Sequence, residues 1–364
     1  MKIGMITIYR KNYGAFLQAY ALQQSLIKAG GQPEIIRYDY YRDNTLLGYP
    51  KESLPPIKVL LKKAIVETVR FIPHKKRQIV FDKSVKEELI ESAAYYKSYD
   101  DLMKDPPVYD VYLTGSDQVF NPCNNSVQAL PARLLSFVKN GLKYSYAASA
   151  GSDSIPDIYR EQFKKELGTF TKVSVREEGL KQYLLSAYRI ESERHIDPVF
   201  LLNKEGWDAF SKPIPELPKE YIFYYRVLPQ QELSEITREI STKTGLPVFV
   251  ADYHDEFPNQ VKRKGFLSPE QWVYAINKAS YVVTNSFHGT AFAINLEKRV
   301  SILIPPKGGE RVKNLLNKCE LNCLLDNPFY MVDNPNFDYK LVKDYIEKER
   351  ERSMMYISDI CREK

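Results

Sequence analysis

The sequence predicts an α/β protein with two Rossmann-like domains, each a parallel sheet flanked by helices. Short apolar, β-branched strands alternate with amphipathic helices in both halves of the chain. A proline-rich stretch at 203–220 interrupts this alternation, and 364 residues exceed what one core usually covers. Because such sheets bind ligands beyond the carboxyl ends of their strands, we expect a cleft between the two domains.

The domain bounds follow from these breaks in the pattern. The N-terminal domain is predicted to cover 1–202, with a basic helical insertion at about 40–100. The linker covers 203–220, and the C-terminal domain covers 221–338. The polar, charged helix at 339–364 is predicted to pack back on the N-terminal domain.

Composition favours a soluble protein that handles small anionic ligands. Hydrophobic residues make up 44 % and charged residues 27 % of the chain, and the net charge is +6. The four cysteines form no metal-ligand pattern, so we expect no metal and a reducing compartment. No apolar run approaches the roughly 18 residues that a membrane span needs. The apolar run at the N-terminus is also too short for the core of a signal peptide. These observations predict a cytoplasmic protein without a nucleic-acid partner.

The chain opens with a β-α-β unit. Strand Lys2–Tyr9 leads into Asn12-Tyr13-Gly14 and helix Phe16–Ala29, and strand Gln32–Tyr38 follows. The first turn has one glycine where a dinucleotide fingerprint has three, so NAD or FAD is not favoured and no cofactor is expected. Asn12 and Gly14 form either a tight connection or a loop that lines the ligand site.

The insertion carries a basic stretch. Ile57–Ile72 has apolar residues at helical spacing, and 57–88 contains nine Lys and Arg against four acidic residues. Such a stretch is either a solvated helix face or a contact with an anionic membrane or a lipid-diphosphate acceptor.

Two polar residues follow strands later in the first domain. Asp117 comes after strand Tyr109–Thr114, and Arg176 after strand Val173–Val175 at the start of a helix. Arg176 can grip a carboxylate or phosphate with its planar fork, or it can form a salt bridge with Glu177 or a neighbour. The remaining predicted elements of this domain are strand Lys143–Ser149, a last strand and turn at His195–Phe200, and helices Asp157–Thr169 and Leu180–Ala187.

The second domain repeats the alternation. Ser268 and Pro269 mark a helix start, and Arg226 and His254 follow strands as further candidate contacts. The predicted strands are Tyr221–Tyr225, Pro247–Ala251, Tyr281–Val283 and Val300–Ile304. The predicted helices are Gln230–Thr244, 269–278, Ala291–Leu296, one after Arg311 and Tyr339–Ile360.

The segment Tyr281–Asn295 is the strongest candidate for chemistry. A strand, a polar turn and a helix follow each other, which aims free backbone N–H groups at an anion. Ser286 can cap the helix, Gly289 lets a ligand approach the backbone, and His288 adds a titratable group. Alternatively, Ser286 is only a cap and His288 a partly buried histidine without a ligand.

Several motifs together resemble the polysaccharide pyruvyltransferase family. They occur in family order from residue 3 to about 305, and they do not specify the acceptor sugar. The matching segments are Asn12–Tyr20, Tyr109–Val111, Gly115–Val119, Tyr146–Ser149, Val173–Glu177, Asp197–Val199 and Thr284–Thr290.

The resemblance implies a GT-B-like fold and transfer of the pyruvyl unit of phosphoenolpyruvate to two hydroxyls of a cell-surface sugar. It places the donor-binding arginine and histidine of the family at Arg176 and His288, where His288 supplies a proton, binds phosphate, or both. Asp117 becomes the candidate base for an acceptor hydroxyl. The other donor-pocket candidates are Asn12, Gly14, Asn285, Ser286 and Gly289.

Two other functions compete with this reading. A GT-B glycosyltransferase would share the cleft and the anion-binding helix but use a nucleotide sugar. A non-catalytic glycan-binding protein would keep the fold without needing His288. The expected partners are phosphoenolpyruvate and a sugar acceptor, such as a lipid-linked oligosaccharide at the inner membrane face.

Overall fold

The chain forms two compact units that are both discontinuous in sequence. Unit 1 comprises Met1–Lys11, Leu26–Arg194 and Ser358–Lys364, and unit 2 comprises Asn12–Ser25 and His195–Ile357. The structure is a computed structural model, and it describes residues 1–10, 12–38, 45–46, 49–50, 57, 75–122, 129–251, 255–262, 265–305 and 308–363.

Unit 1 is built on a parallel sheet of five strands. The strands of this unit are β1 Lys2–Ile6, β2 Gln32–Tyr38, β3 Thr45–Leu46, β4 Tyr49–Pro50, β5 Glu91–Tyr96, β6 Val111–Gly115, β7 Leu142–Tyr146, β8 Ser174–Val175 and β9 Glu193–Arg194. The large sheet has the order β5-β2-β1-β6-β7, and all its neighbours are parallel. β3 and β4 form a small antiparallel pair, and β8 and β9 a small parallel one.

Helices cover this sheet and bury its apolar side chains. They are α2 at 75–88, α3 Tyr99–Lys104, α4 Leu130–Arg133, α5 Arg160–Leu167 and α6 Glu178–Tyr183. Short 3-10 turns form at Gln118–Phe120 and Asp157–Tyr159, and a π-helical turn at Leu184–Tyr188. Val111, Tyr112 and Leu113 of β6 are all buried, as a strand covered on both faces requires.

Unit 2 contains a second parallel sheet, with the order β11-β10-β12-β13. Its strands are β10 Ile222–Tyr225, β11 Val248–Val250, β12 Tyr281–Thr284 and β13 Val300–Ile302. Its helices are α7 Lys204–Phe210, α8 Gln231–Thr244, α9 Pro269–Lys278, α10 Phe287–Asn295, α11 Glu310–Lys318, α12 Cys323–Asp326 and α13 Tyr330–Asp333, with a 3-10 turn at Pro198–Phe200. Every residue of the four strands is buried, so the sheet carries side chains into cores on both faces.

Contacts of helix α1, Tyr13–Lys28, explain why Asn12–Ser25 belongs to unit 2. Tyr13 stacks on Trp272 with ring centroids 5.7 Å apart and donates a hydrogen bond to the carbonyl of Leu267. Two turns later along the same face, the ring of Tyr20 lies 4.3 Å from that of Phe210. These aromatic contacts bury the face of α1 within unit 2.

Helix α14, Lys340–Arg362, is divided between the units in sequence. Its residues as far as Ile357 belong to unit 2 and the remainder to unit 1. Helix α7 lies within the stretch predicted to be a linker, and its Trp207 is fully buried. Residues 195–202, which the sequence assigned to the first domain, also cluster with unit 2.

Several elements agree with the sequence and some differ. Ser268 caps α9 in a complete capping box with Pro269 in the first turn, as predicted. At His195–Phe200, where a last strand and turn are predicted, only the turn is present: the Asp197 side chain accepts the N–H of Val199 and starts a 3-10 turn. The predicted strand Lys2–Tyr9 ends at Ile6, where its pairing with β6 stops.

Strand β5 was not predicted, because residues 40–100 show no strand pattern. Its sequence is ESAAYY, and only Ser92 and Tyr96 are buried. β5 lies at the sheet edge and is held by parallel pairing with β2, so tertiary context outweighs its weak strand propensity. The helix predicted at Ile57–Ile72 falls outside the described residues. Among those that are described, no helix is both long and apolar enough to cross a bilayer.

Candidate active site

The strand order of unit 2 changes direction between β10 and β12. β11 follows β10 on one side of the sheet, whereas β12 and β13 extend it on the other. Parallel sheets bind ligands beyond the carboxyl ends of their strands at such a point. Thr284, the last residue of β12, and Asn285 and Ser286 after it therefore lie where a ligand is expected.

Helix α10 begins earlier than predicted, at Phe287 and not at Ala291. The reason is the Ser286 cap: its hydroxyl accepts the N–H of Gly289 at 3.2 Å, which confirms the predicted cap. A side chain at Gly289 would place its Cβ 3.1 Å from the Cβ of Thr284 and closer still to the Thr284 hydroxyl. The glycine thus lets the helix pack tightly on the strand that precedes it.

His288 packs against the first turn of α1. A side chain at Gly14 would place its Cβ 2.8 Å from the Cβ of His288 and closer still to the imidazole ring. Asn12 caps this helix: its side-chain oxygen accepts the N–H groups of Gly14 at 2.8 Å and Ala15 at 3.4 Å. This cap explains why α1 begins at Tyr13, three residues before the predicted start. The first turns of α1 and α10 therefore meet at the His288 ring.

The N-termini of α1 and α10 together create a positive electrostatic potential at the His288 ring. Each helix N-terminus carries the equivalent of about half a positive charge, and anions bind there readily. A buried carboxylate lies on the other side of the imidazole: Oδ2 of Asp197 is 3.8 Å from Nε2 of His288. The His288 side chain is 10 % exposed and that of Asp197 is 1 % exposed, so solvent screens this interaction little.

Asn285 organises the loop that follows β10. Its side-chain oxygen accepts the N–H of Val227, and its amide nitrogen donates to the Leu228 carbonyl and the Gln230 side chain. Asn285 is 1 % exposed, and these bonds tie the two strand ends together.

Arg226 lies in the same loop and is ion-paired with Asp255. The Asp255 carboxylate also accepts the hydroxyl of Tyr224 at 2.9 Å. Burial raises the pKa of Tyr224 well above its usual range, so this phenol stays protonated and donates.

The second group of predicted residues lies in unit 1, at the carboxyl ends of β6, β7 and β8. Nε of Arg176 donates to the Glu177 carboxylate at 3.1 Å, which is the salt bridge that the sequence left open. The hydroxyl of Ser149 donates to the same carboxylate oxygen at 2.7 Å. The side chains of Arg176 and Glu177 are 6 % and 4 % exposed. This bond uses one of the five N–H donors of the guanidinium.

Asp117 belongs to this group through its backbone. Its carbonyl accepts the N–H groups of Val119 at 2.8 Å and Ser149 at 2.9 Å. Its φ of 59° and ψ of −161° lie in a region that residues other than glycine rarely adopt, and such residues are enriched at functional sites. The chain thus places Asp117 next to the residue that hydrogen-bonds Glu177.

The structure sorts the predicted site residues into two groups. Unit 2 brings together Asn12, Gly14, Asn285, Ser286, His288 and Gly289, with Arg226 in the loop that Asn285 holds. Unit 1 brings together Asp117 and Arg176. His254 lies outside the described residues.

Sequence reasoning named Glu177 as a possible partner of Arg176 but missed two residues that contact these groups: Ser149 and Asp197. Each lies in a segment whose motif was recognised. Neither was singled out, because hydrogen bonds between distant residues leave no periodic pattern. In unit 1, the sequence allowed Arg176 either an anionic ligand or a salt bridge, and the structure contains the salt bridge with Glu177.

Comparison with known sequences gives one family. A profile described as polysaccharide pyruvyl transferase matches residues 12–305, from the cap of α1 to beyond β13. No curated protein matches the chain.

Comparison with solved structures concerns the fold. The UDP-GlcNAc 2-epimerase from Neisseria meningitidis bound to UDP-GlcNAc has a TM-score of 0.52 and 11 % identity, with 99 % of each chain covered. The glycosyltransferase SsfS6 of Streptomyces sp. SF2575 in complex with thymidine diphosphate has a TM-score of 0.45 and 14 % identity over 100 % of this chain and 98 % of that one. MurG of Acinetobacter baumannii has a TM-score of 0.41 and 11 % identity over 98 % of each chain. The predicted fold class, α/β with two Rossmann-like domains of the GT-B type, is confirmed.

Proposed function

We propose that this chain, which belongs to the polysaccharide pyruvyl transferase family, transfers the pyruvyl unit of phosphoenolpyruvate to a sugar of a cell-surface polysaccharide or its lipid-linked precursor. The product is a cyclic pyruvate ketal, and phosphate is released. The observation that carries the proposal is the meeting of two helix N-termini at His288, with Gly14 packed on the ring. Phosphoenolpyruvate offers a phosphate and a carboxylate, and both suit such a site.

The proposed chemistry proceeds in two bond-forming steps. An acid donates a proton to the methylene carbon of phosphoenolpyruvate, which leaves an oxocarbenium-like centre at C2. One sugar hydroxyl then bonds to C2 and gives its proton to a base. The bond from C2 to the phosphate oxygen breaks as the second hydroxyl bonds to C2 and loses its proton. The reaction needs neither an oxidant nor a reductant.

Three residues receive roles in this scheme. His288 is proposed to bind the donor phosphate as a cation, to supply the proton, or to do both. Arg176 is proposed to contact an anionic group of the donor, since its planar fork matches carboxylate and phosphate. Asp117 is proposed to accept a proton from an acceptor hydroxyl.

The backbone around His288 supports the donor assignment. The Ser286 cap and the Asn12 cap satisfy one or two N–H groups each, and the other N–H groups of each first turn have no intrahelical acceptor. A phosphate near both turns would interact with two helix dipoles at once. This support does not depend on which role His288 takes.

Calorimetric titration with phosphoenolpyruvate tests the donor. We expect saturable binding by the wild type and its loss in His288→Gln, whereas Asp208→Asn, a partly exposed carboxylate change elsewhere in unit 2, should bind normally. At a hundredfold excess over the dissociation constant, the ligand should stabilise the fold by about 2.7 kcal/mol. Pyruvate and inorganic phosphate, each half of the donor, should bind more weakly.

The competing functions give different results in the same titration. Saturable binding of UDP or GDP without binding of phosphoenolpyruvate would establish a nucleotide-sugar glycosyltransferase. Binding of a glycan that His288→Gln leaves unchanged, without transfer, would establish a non-catalytic role.

We also propose that the reaction takes place in the cytoplasm, next to the inner membrane face. In helix α2 at 75–88, Lys75, Lys76, Lys83 and Lys86 are exposed, together with the apolar Ile79. This combination suits an anionic bilayer surface. Sedimentation with vesicles should show binding to phosphatidylglycerol and not to phosphatidylcholine. Glutamate at the four lysines should abolish it, and equal recovery with both lipids would reject the contact.

A further inference from the structure

The Asp197 carboxylate is buried beside a site that is otherwise positive. Its Oδ1 accepts the N–H of Val199 at 3.1 Å, while Oδ2 lies 3.8 Å from Nε2 of His288. Burying a carboxylate is costly unless hydrogen bonds or an opposite charge compensate it. A protonated His288 places an opposite charge 3.8 Å from this carboxylate, and the low exposure of both side chains strengthens their attraction.

The two helix N-termini at His288 oppose its protonation, because those of α1 and α10 both present positive potential to the ring. A cationic imidazole at this place therefore requires a nearby anion before any ligand binds.

The segment that carries Asp197 is held firmly. The Asn295 amide, at the end of α10, donates to the carbonyls of Val199 and Leu202 at 2.9 Å each. Arg350 of α14 donates to the carbonyl of Phe200 at 2.6 Å. Helix α10 thus contacts this segment at both of its ends, through His288 at the start and Asn295 at the end.

We propose that Asp197 is a positioning residue that keeps the His288 imidazole protonated and fixes it against Gly14. The ring is then already cationic when an anionic donor arrives, and it does not need to gain a proton or turn. The effect of Asp197 on pyruvyl transfer rests on the proposed function, whereas its effect on the protonation of the His288 ring does not.

Nuclear magnetic resonance of the ring nitrogens tests the charge without any substrate. The chain has four histidines, so the His288 signals can be assigned by their loss in His288→Gln. At pH 7 we expect both ring nitrogens of His288 to carry a proton in the wild type and only one to do so in Asp197→Asn. A neutral His288 in the wild type would overturn the proposal, and this result does not require the variant to fold. Unchanged protonation in a folded Asp197→Asn protein would overturn it as well.

A double-mutant cycle tests whether Asp197 acts through His288. We expect Asp197→Asn to lower turnover with phosphoenolpyruvate by about 10- to 100-fold, because the imidazole loses the adjacent anion that favours its charged form. In the His288→Gln background, the same substitution should cost less than about twofold. Equal losses in both backgrounds would show that Asp197 acts on the fold alone.

The controls separate this inference from the proposed function. Asp208→Asn, a matched change of charge in unit 2, should leave the His288 signals and turnover as in the wild type. If no variant affects phosphoenolpyruvate, the proposed function fails while the resonance result still decides the role of Asp197. If the donor binds but His288 is neutral, only the role of Asp197 fails.

Discussion

The His288 group in unit 2 and the Arg176 group in unit 1 prepare for an anion in different ways. Around His288, the positive potential comes from backbone N–H groups and from two helix ends that a glycine brings together. Around Arg176, it comes from a guanidinium that is already paired with the Glu177 carboxylate. The His288 group depends on the close packing of two helix ends, and the Arg176 group depends on the ion pair between Arg176 and Glu177.

This difference predicts how each group fails. Removing the imidazole takes away a functional group but leaves both helix ends in place. Removing the guanidinium leaves a buried carboxylate without its partner, so stability suffers together with function. Substitutions in the His288 group should therefore lower activity more than stability, whereas those in the Arg176 group should lower both.

The largest expected effect is on activity in His288→Gln. Loss of an acid or cation in transfer should lower turnover by about 10²- to 10⁴-fold. The free energy of unfolding should fall by about 1 to 3 kcal/mol, because Asp197 loses the opposite charge beside it but keeps its hydrogen bond from the Val199 N–H. Phosphate release and urea denaturation measure the two quantities. Nearly normal turnover would remove His288 from the mechanism.

Arg176→Ala should have a larger effect on stability than His288→Gln. Leaving Glu177 buried and unpaired should lower the free energy of unfolding by about 3 to 5 kcal/mol. In Arg176→Ala/Glu177→Gln, the neutral amide can still accept the Ser149 hydroxyl, so part of this loss should return, while transfer stays impaired. If denaturation shows no recovery in the double variant, the pair does not determine stability.

Gly14→Ala tests the contact between the two helix ends. The added Cβ overlaps the His288 ring, so we expect about 1 to 3 kcal/mol of destabilisation and at least tenfold weaker phosphoenolpyruvate binding. Gly206→Ala is the matched control, because Gly206 also lies in the first turn of an asparagine-capped helix and a Cβ there has ordinary contacts at 3.4 Å. The control should be neutral or more stable by about 0.4 to 1 kcal/mol. Equal binding by both variants would contradict the contact.

The smallest expected effect comes from the caps. Asn12→Ala and Asn203→Ala each remove a capping oxygen, from α1 and α7 respectively, and each should cost about 1 kcal/mol. Only Asn12→Ala should also weaken phosphoenolpyruvate binding, since only its helix end meets His288. If calorimetry finds the same affinity for both variants, the α1 terminus has no part in the site.

The sequence predicted most of unit 2 because its parallel strands are buried on both faces. Continuous apolar runs such as Tyr281–Val283 mark these strands clearly, and Ser268 with Pro269 marks the start of α9 through local hydrogen bonding. Ser286 was likewise recognised as a cap, although α10 begins four residues before the predicted start.

The failures share a physical cause. Asp197 starts a 3-10 turn with a side-chain hydrogen bond, which outweighs the strand propensity of the valine and phenylalanine after it. β5 exists because β2 offers an edge to pair with. The contact between Gly14 and His288 joins two helix ends that no local pattern connects. Helix caps and buried strands could be predicted from neighbouring residues, whereas contacts between segments far apart in the sequence could not.

The late completion of unit 2 during synthesis follows from the place of α1 in the chain. Tyr13 bonds a carbonyl 254 residues further along, and Asn12–Ser25 belongs to a unit whose other residues begin at His195. At the usual pace of roughly 5 to 20 residues per second, this helix leaves the ribosome many seconds before its packing partners exist. Its aromatic face must stay exposed or covered by a chaperone during that interval. A nascent chain released before α10 is synthesised would therefore lack both the site and the core that shields α1.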